Sequence, residues 1–322
     1  MAERLMPKRL CIWMVLAFLT PLGSGPAARS APESSSRAAV RSAAPAQPSD
    51  QAPSDDELRT RAQKVLANQH HDDEALDEYE RVERYLDRTS GAEPRTLQDR
   101  MYRVVPTGGG MYRLLLSDGG KRTDPAEYRK QLQLLEGVLE MMARPDDAKG
   151  KAARDKYEKR KRDRAQFVDA THDAFLPKWV GRETMNGRAC DIFELNPNPA
   201  YHPRSMFQSA LAHVTAKIWV DHDADQIVRG EAHVTADISF GGGILGKLYR
   251  GGVVSMDQAE IAPGIWLPTR YQYDFSGRKF MFPFAEHQLI EASRYRRVGP
   301  PQEALPLVKG ELTTGKFFAA DP

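Results

Sequence analysis

Apolar and polar residues alternate along the C-terminal half of the chain, between Ala212 and Arg297. Every second residue is apolar over 212–220, and the rule resumes over 232–240. A period of two places one set of side chains on each face of a strand, so the pattern predicts an antiparallel sheet with one covered face. Further strands are predicted at 252–262, 265–275 and 278–298, with turns at Pro263-Gly264 and Ser276-Gly277.

Three helices are predicted ahead of this sheet. The first begins at Asp55 and runs to about residue 67, with acidic residues at its N-terminal end. The second begins at Asp124 as N-cap, has proline at its first position, and ends before Pro145. The third covers about 147–174. The last two helices form a predicted helical insertion over about 124–174.

Two hairpins are also predicted before residue 200. Strands over 97–105 and 111–117 are joined through a Gly-rich turn, and strands over 179–185 and 188–196 are joined by Asn186-Gly187. The segment 75–89 is ambiguous, because its apolar residues have helical spacing while its Tyr, Val and Thr suit a strand. Both interpretations of this segment stay open.

The N-terminus has the features of a secretory signal peptide. Basic residues precede an apolar run at Leu10–Leu19, which is shorter than the roughly 20 residues of a membrane-spanning helix. Small residues follow, and cleavage after Ala27 or Ser30 fits them; an uncleaved anchor is the alternative. Residues 1–30 are therefore predicted to be a cleaved signal peptide and 31–55, rich in Ala, Pro and Ser, a disordered linker. We expect an exported protein of the periplasm or outer envelope, with a single domain over 56–298 and a C-terminal tail over 299–322.

Composition narrows the function classes further. The 322 residues are 41% hydrophobic and 28% charged, with a formal net charge of +2, which is too small to indicate a nucleic-acid partner. Cys11 opens the apolar run, so it is too early for lipid attachment, and Cys190 would be the one thiol of the mature chain. An internal disulfide is then impossible, and we expect Cys190 to be a packed strand residue.

A basic run lies in the first half of the third helix. It favours either peripheral contact with anionic lipid headgroups or a solvated helix that projects from the domain. Its nine basic residues are Lys149, Lys151, Arg154, Lys156, Lys159, Arg160, Lys161, Arg162 and Arg164.

No motif for catalysis or a cofactor is complete. Gly241–Leu248 has the spacing of a nucleotide-binding loop, but Leu248 stands where Ser or Thr would bind magnesium. Asp221–Asp225 begins like a calcium loop but lacks the later Gly and Glu, so a hairpin turn is favoured. His70–Glu74 is interpreted as a solvated linker, and no G-x-S-x-G is present. The sequence therefore predicts a protein that is not an enzyme and needs no cofactor or metal; a metal-dependent hydrolase is the weakest hypothesis.

Short motifs in a defined order resemble the outer-membrane lipoprotein carrier superfamily, which is LolA-like and LolB-like. Within it the chain is most similar to a family of exported bacterial proteins, and the likeness covers about 55–298. The motifs are Asp173-Ala174-Phe175, Gly181-Arg182-Glu183, Asn196-Pro197-Asn198-Pro199, Trp219-Val220-Asp221, Phe240-Gly241-Gly242-Gly243 and Gly264-Ile265-Trp266-Leu267-Pro268-Thr269-Arg270.

The resemblance implies an α+β fold in which a strongly curved antiparallel sheet, an incomplete β-barrel, packs on helices and leaves an apolar concavity for acyl chains. The resemblance and the aromatic positions together suggest a ligand-binding lining of Phe240, Ile244, Leu245, Leu248, Tyr249, Trp266, Tyr271, Tyr273 and Phe275.

The first hypothesis is a protein that binds a lipid, lipoprotein or other apolar ligand in this concavity. The alternative is a structural or regulatory envelope protein whose core is self-filled and which binds another protein. For the rings of 271–284 in particular, packing on the helix over 125–143 is the alternative to enclosing a lipid.

Overall fold

The structure, a computed structural model, describes residues 52–90 and 94–317. The predicted signal peptide and the predicted linker as far as residue 51 lie outside the described residues. The α-helices of the described ranges are α1 (Asp55–Ala75), α2 (Pro125–Ala143), α3 (Ala148–Ala174) and α4 (Pro301–Thr314). In those ranges no helix combines the length and apolar character needed to cross a membrane.

The strands of the described ranges belong to one antiparallel sheet. They are β1 (Tyr79–Arg88), β2 (Thr96–Pro106), β3 (Met111–Asp118), β4 (Lys121–Arg122), β5 (Phe175–Met185), β6 (Arg188–Pro197), β7 (Val214–Asp221), β8 (Ile227–Val234), β9 (Ile238–Phe240), β10 (Gly246–Leu248), β11 (Val253–Ala262), β12 (Ile265–Lys279) and β13 (Phe282–Arg297). Short 3₁₀ turns cover Leu76–Glu78 and Gln208–His213.

The strand order is β4-β3-β2-β1-β13-β12-β11-β8-β7-β6-β5, and the β9–β10 hairpin attaches to β12 through β10. In the described residues the sheet is not closed, because β4 and β5 are its two ends. The first strand pairs with the last, with Tyr79 opposite Arg297. Helices α2 and α3 occupy the connection between β4 and β5. The predicted α+β fold class, an antiparallel sheet that does not close into a full barrel and packs on helices with a helical insertion, is confirmed.

Local sequence signals account for two of the element boundaries. The carboxylate of Asp124 accepts hydrogen bonds from the backbone N–H groups of Ala126 and Glu127, at 2.8 and 3.3 Å, and so caps α2 as predicted. Asn186 and Gly187 have φ angles of 52° and 80°, which are the left-handed values that a two-residue hairpin of this type needs. Both predictions are confirmed.

The predicted turn at Ser276-Gly277 is wrong, because β12 continues to Lys279. A Cβ atom on Gly277 would lie 2.3 Å from the carbonyl oxygen of Lys247 in β10. Glycine is therefore needed there for the close approach of two backbones rather than for a turn. The chain reverses instead at Phe280 and Met281, where Phe280 has a φ of 53°.

The open question about 75–89 is resolved as the end of a helix followed by a strand. Helix α1 extends to Ala75, and β1 begins at Tyr79. Glu80, Arg81, Val82 and Glu83 are all buried, so both faces of this strand are covered. Burial of charged residues on both faces removes the alternation of apolar and polar residues that normally identifies a strand.

The segment predicted to be a C-terminal tail differs in the structure, since it contains α4. Ala304, Val308 and Leu312 of this helix pack in one cluster with Leu132 and Leu135 of α2. Both oxygens of Glu311 accept hydrogen bonds from buried Arg103 of β2, at 2.7 and 2.9 Å. Helix α4 is therefore an integral part of the core.

Candidate functional site

Strand β12 presents three aromatic side chains on one face, at Tyr271, Tyr273 and Phe275. Their ring centroids are 6.3 and 6.4 Å apart along the strand, and Phe284 of β13 continues the row 6.4 Å from Phe275. The period of two places the three β12 rings on the same side of the sheet. This row, Tyr271, Tyr273, Phe275 and Phe284, is called the ring face below.

Apolar side chains from six strands extend the ring face into a cluster. The buried members from β7, β8, β9, β10, β11 and β13 are Val214, Val234, Ile238, Phe240, Leu248, Val254, Met256 and Ile290. Helix α3 covers this cluster with Phe167, Ala170 and Ala174. The interpretation in which the rings pack on the helix over 125–143 is corrected, because α2 packs with α4 in a different cluster.

The contact between α3 and the ring face is narrow and uses few large side chains. Phe167 is one large ring on the inner surface of α3, whereas Ala170 and Ala174 are small. Elsewhere α3 is held by polar contacts with the last turn of α1 and the 3₁₀ turn that follows it. Arg164 Nη2 lies 2.6 Å from Asp73 Oδ1, and Lys161 Nζ lies 2.7 Å from Asp77 Oδ2. The helix is thus a largely polar cover over an apolar surface.

The basic run of α3 divides into two groups. Four of its members face the domain: Arg154 donates to the carbonyls of Met142 and Pro145, Arg160 to that of Gly109, and Lys161 and Arg164 contact carboxylates. The other five are exposed to solvent: Lys149, Lys151, Lys156, Lys159 and Arg162. Almost half of the run therefore holds the helix in place.

The nine residues predicted to line the concavity separate into three groups. Phe240, Leu248, Tyr271, Tyr273 and Phe275 are brought together in the cluster beneath α3. Trp266 packs in a different cluster with Cys190, Ile192, Trp219 and Val228. Ile244, Leu245 and Tyr249 are exposed, at the end of the sheet where β9 and β10 meet.

A buried polar network borders the ring face, and none of its residues was among the site residues predicted from the sequence. Arg81 is 1% exposed, and its Nε donates to Glu83 at 2.7 Å. Tyr85 donates to the second oxygen of Glu83 at 2.6 Å and accepts from Arg113 at 2.8 Å. Burial raises the pKa of Tyr271 well above its ordinary value, so its phenol stays neutral. The spacing of Arg81, Glu83 and Tyr85 at every second residue was the signal that could have revealed a shared strand face.

The predicted hairpin turn at Asp221–Asp225 is confirmed, and it also forms part of an ionic cluster. Asp221 accepts from the backbone N–H groups of Asp223 and Ala224, at 3.0 and 2.8 Å. Arg61 of α1 lies 2.7 Å from Asp225 and 2.5 Å from fully buried Asp191. In the described part of the chain, no group of three His, Cys, Asp or Glu is arranged to hold a metal ion.

The segment His70–Glu74, interpreted as a solvated linker, belongs instead to the last turns of α1. Its Asp72 is 2% exposed and accepts a 2.9 Å hydrogen bond from the backbone N–H of Trp266. Burial raises the pKa of Asp72 to about 6. This carboxylate therefore joins α1 to β12 rather than facing solvent.

No family model and no curated relative matches the chain. Solved structures of similar fold include a DUF1329 family protein from Desulfovibrio piger, with 13% identity, 74% of this chain and 92% of that chain covered, and a TM-score of 0.28. A LolA superfamily protein from Nitrosomonas europaea has 12% identity, coverage of 73% and 93%, and a TM-score of 0.31. A putative outer membrane lipoprotein-sorting protein domain from Vibrio parahaemolyticus has 9% identity, coverage of 73% and 93%, and a TM-score of 0.28. These similarities concern the fold alone.

Proposed function

We propose that this is an exported envelope protein that binds the acyl chain of a lipid or lipoprotein, or another apolar ligand, between the ring face and α3. The observation that carries the proposal is the pairing of an extensive aromatic and aliphatic surface with a helix that is mostly polar. In this proposal α3 is a movable cover, and the ligand takes the place of its inner side chains.

The free energies of apolar burial favour replacement of the inner side chains of α3 by a ligand. Burial of one large side chain such as Phe167 stabilises a protein by about 1.5–3 kcal/mol. Each methylene of an acyl chain contributes about 0.8 kcal/mol when it leaves water, so ten methylenes contribute roughly 8 kcal/mol. A ligand of that length offsets the loss of the Phe167 contact and part of the cost of opening the polar contacts of α3.

The polar network beside the ring face supports a ligand with an anionic end. Arg81 and Arg113 lie there with Glu83 between them, at 2.6 and 3.3 Å respectively. A carboxylate or phosphate that reaches this point would meet two guanidinium groups and one carboxylate. Arginine geometry suits both anions.

A disulfide between α3 and the β2–β3 hairpin tests whether α3 is the cover. A Cβ atom on Gly109 would lie 3.4 Å from the Cβ atom of Ala153, close to the usual spacing of about 3.8 Å in disulfides. The nearest obstacle, at 2.9 Å, is the flexible end of Met142. We expect the Gly109→Cys/Ala153→Cys protein, in a Cys11→Ser background, to bind N-phenyl-1-naphthylamine at least about tenfold more weakly when oxidised than when reduced.

The reduced form of the same protein is the matched control, because it carries both substitutions without the covalent link. Native mass spectrometry of wild-type protein taken from its own envelope should also show bound lipid. Absence of both lipid and probe binding in the wild type would refute the proposal. Equal probe binding by the oxidised and reduced forms would show that α3 is not the cover.

The second candidate is a protein whose core is already filled and which binds another envelope protein. It is favoured by the burial of the rings, since Tyr271, Tyr273 and Phe275 are at most 5% exposed beneath α3. The exposed basic side chains of α3 would then be the contact surface. Photo-crosslinking in cells from a probe at Lys156, with a probe at Leu134 of α2 as control, should capture a specific protein in that case.

A further inference from the structure

Exposed apolar side chains are concentrated at one end of the sheet. The loop between β9 and β10 exposes 76% of Ile244 and 41% of Leu245. The reversal between β12 and β13 exposes 48% of Phe280, 87% of Met281 and 76% of Phe282. These five residues are called the apolar tip. Side chains of this kind usually lie inside a protein, so five together indicate an interaction surface.

The two segments of the apolar tip form one connected structure. The backbone N–H of Phe280 donates to the carbonyl of Leu245 at 3.2 Å, and β10 pairs with the end of β12. Gly241, Gly242 and Gly243 have φ angles of 58°, 64° and 87°, values that favour glycine. Ile244 and Leu245 follow directly in the chain. The apolar tip is therefore held by the sheet.

The surroundings of the apolar tip are cationic. Segments 239–250 and 276–284 contain Lys247, Arg250, Arg278 and Lys279 and have no Asp or Glu. Asp237, just outside them, pairs with Lys247 at 2.7 Å. Arg250 is exposed to solvent, so its charge can face a negatively charged surface.

We infer that the apolar tip inserts into an anionic lipid surface while the surrounding cations contact its headgroups. Apolar and aromatic side chains combined with Lys and Arg are what binding at such an interface requires. A stable protein interface buries about 800 Å² on each partner with some 20–30 residues, which is more than two short connected loops offer. This inference concerns a surface outside the ligand site proposed above and does not depend on it.

Vesicle sedimentation tests the inference with purified wild-type protein. We expect binding to vesicles of phosphatidylglycerol and phosphatidylethanolamine, weaker binding to phosphatidylcholine alone, and a decrease with added salt. Met281→Asp should lower the partition coefficient at least about tenfold, and Arg250→Gln about fivefold, which corresponds to about 1 kcal/mol for one charge. Leu134→Ser is the matched control, because Leu134 is 63% exposed on α2, and it should bind like the wild type.

A Met281→Trp variant adds a direct signal, since its fluorescence should shift to shorter wavelength when anionic vesicles are added. Wild-type protein that stays in solution with anionic vesicles would overturn the inference, as would Met281→Asp binding equal to that of the wild type. Wild-type dimers that dissociate on Met281→Asp substitution would assign the apolar tip to self-association and overturn it as well. The oxidised Gly109→Cys/Ala153→Cys protein should still bind vesicles, which separates this result from the ligand proposal.

Discussion

Replacement of Glu311 by Gln tests whether α4 is held by a buried ion pair. Arg103 is 1% exposed, and its guanidinium donates to both oxygens of Glu311 and to Glu80. Loss of one partner from a buried pair costs about 3–5 kcal/mol, because a charge stays in the interior without compensation. Arg296 also contacts both carboxylates, but 39% of its side chain is in solvent, so part of the excess charge is screened. We therefore expect Glu311→Gln to lower the free energy of unfolding by about 3 kcal/mol.

Urea unfolding at pH 7, followed by tryptophan fluorescence and circular dichroism, measures this loss. A domain of this size should also melt roughly 6–12 °C lower, at about 2–4 °C for each kcal/mol. The double variant Arg103→Met/Glu311→Leu should recover at least half of the loss, because it removes both charges and leaves Arg296 paired with Glu80. A loss below 1 kcal/mol for Glu311→Gln would refute the reasoning. So would a double variant whose loss of unfolding free energy equals the sum of the losses of its two single variants.

Three further predictions concern titratable groups. Burial raises the pKa of Asp72 to about 6. Between about pH 4 and 6 the native state therefore holds a proton that the unfolded chain has released, and the free energy of unfolding falls by roughly 3 kcal/mol as the pH rises through that window. Asp72→Asn, which keeps an acceptor for Trp266, should remove this fall in urea titrations at pH 4, 5, 6 and 7. Burial raises the pKa of the Cys190 thiol to about 11, so native protein at pH 8 should not react with a disulfide reagent until it is unfolded. Burial alone would raise the pKa of Asp191, but hydrogen bonds from Arg61, His222 and Arg182 lower it well below its ordinary value. Its stabilising effect should therefore be complete above about pH 4 and decline progressively as the pH falls towards the lowered pKa. Asp191→Asn should lower the free energy of unfolding by about 3 kcal/mol at pH 7 and by progressively less as the pH is lowered from 4 to 2, and a loss that stays constant down to pH 2 would contradict this.

Local signals in the sequence were sufficient for elements whose ends depend on a few neighbouring residues. Asp124 caps α2, and Asn186-Gly187 turns the β5–β6 hairpin, because each uses short-range hydrogen bonds or φ angles. The alternation of apolar and polar residues in the C-terminal half identified the sheet, because this pattern is also read from neighbouring residues. Four of the five lining residues found together in the cluster, Phe240, Tyr271, Tyr273 and Phe275, also followed from this period.

Features that depend on distant contacts were not predictable. Gly277 has the composition of a turn, but its role is set by the Lys247 carbonyl of a different strand. The charges of β1 are compatible with burial only because partners such as Arg103 and Arg296 come from other strands. The helix α4 was predicted to be a tail because its sequence contains Pro306 and Gly310, which are poor helix formers. In each case the decisive partner is remote in the chain.

The pairing of β1 with β13 has a consequence for how the chain acquires its structure. Tyr79 and Arg297 are neighbours in the sheet, yet the second is added to the growing polypeptide more than 200 residues after the first. Contacts this distant in sequence form slowly, since a long loop must close before they add stability. During synthesis the β1–β2 hairpin would keep one strand edge unpaired until the last strand emerged, which makes nascent chains susceptible to aggregation. A chaperone that covers this unpaired strand edge during synthesis would protect the nascent chain from aggregation.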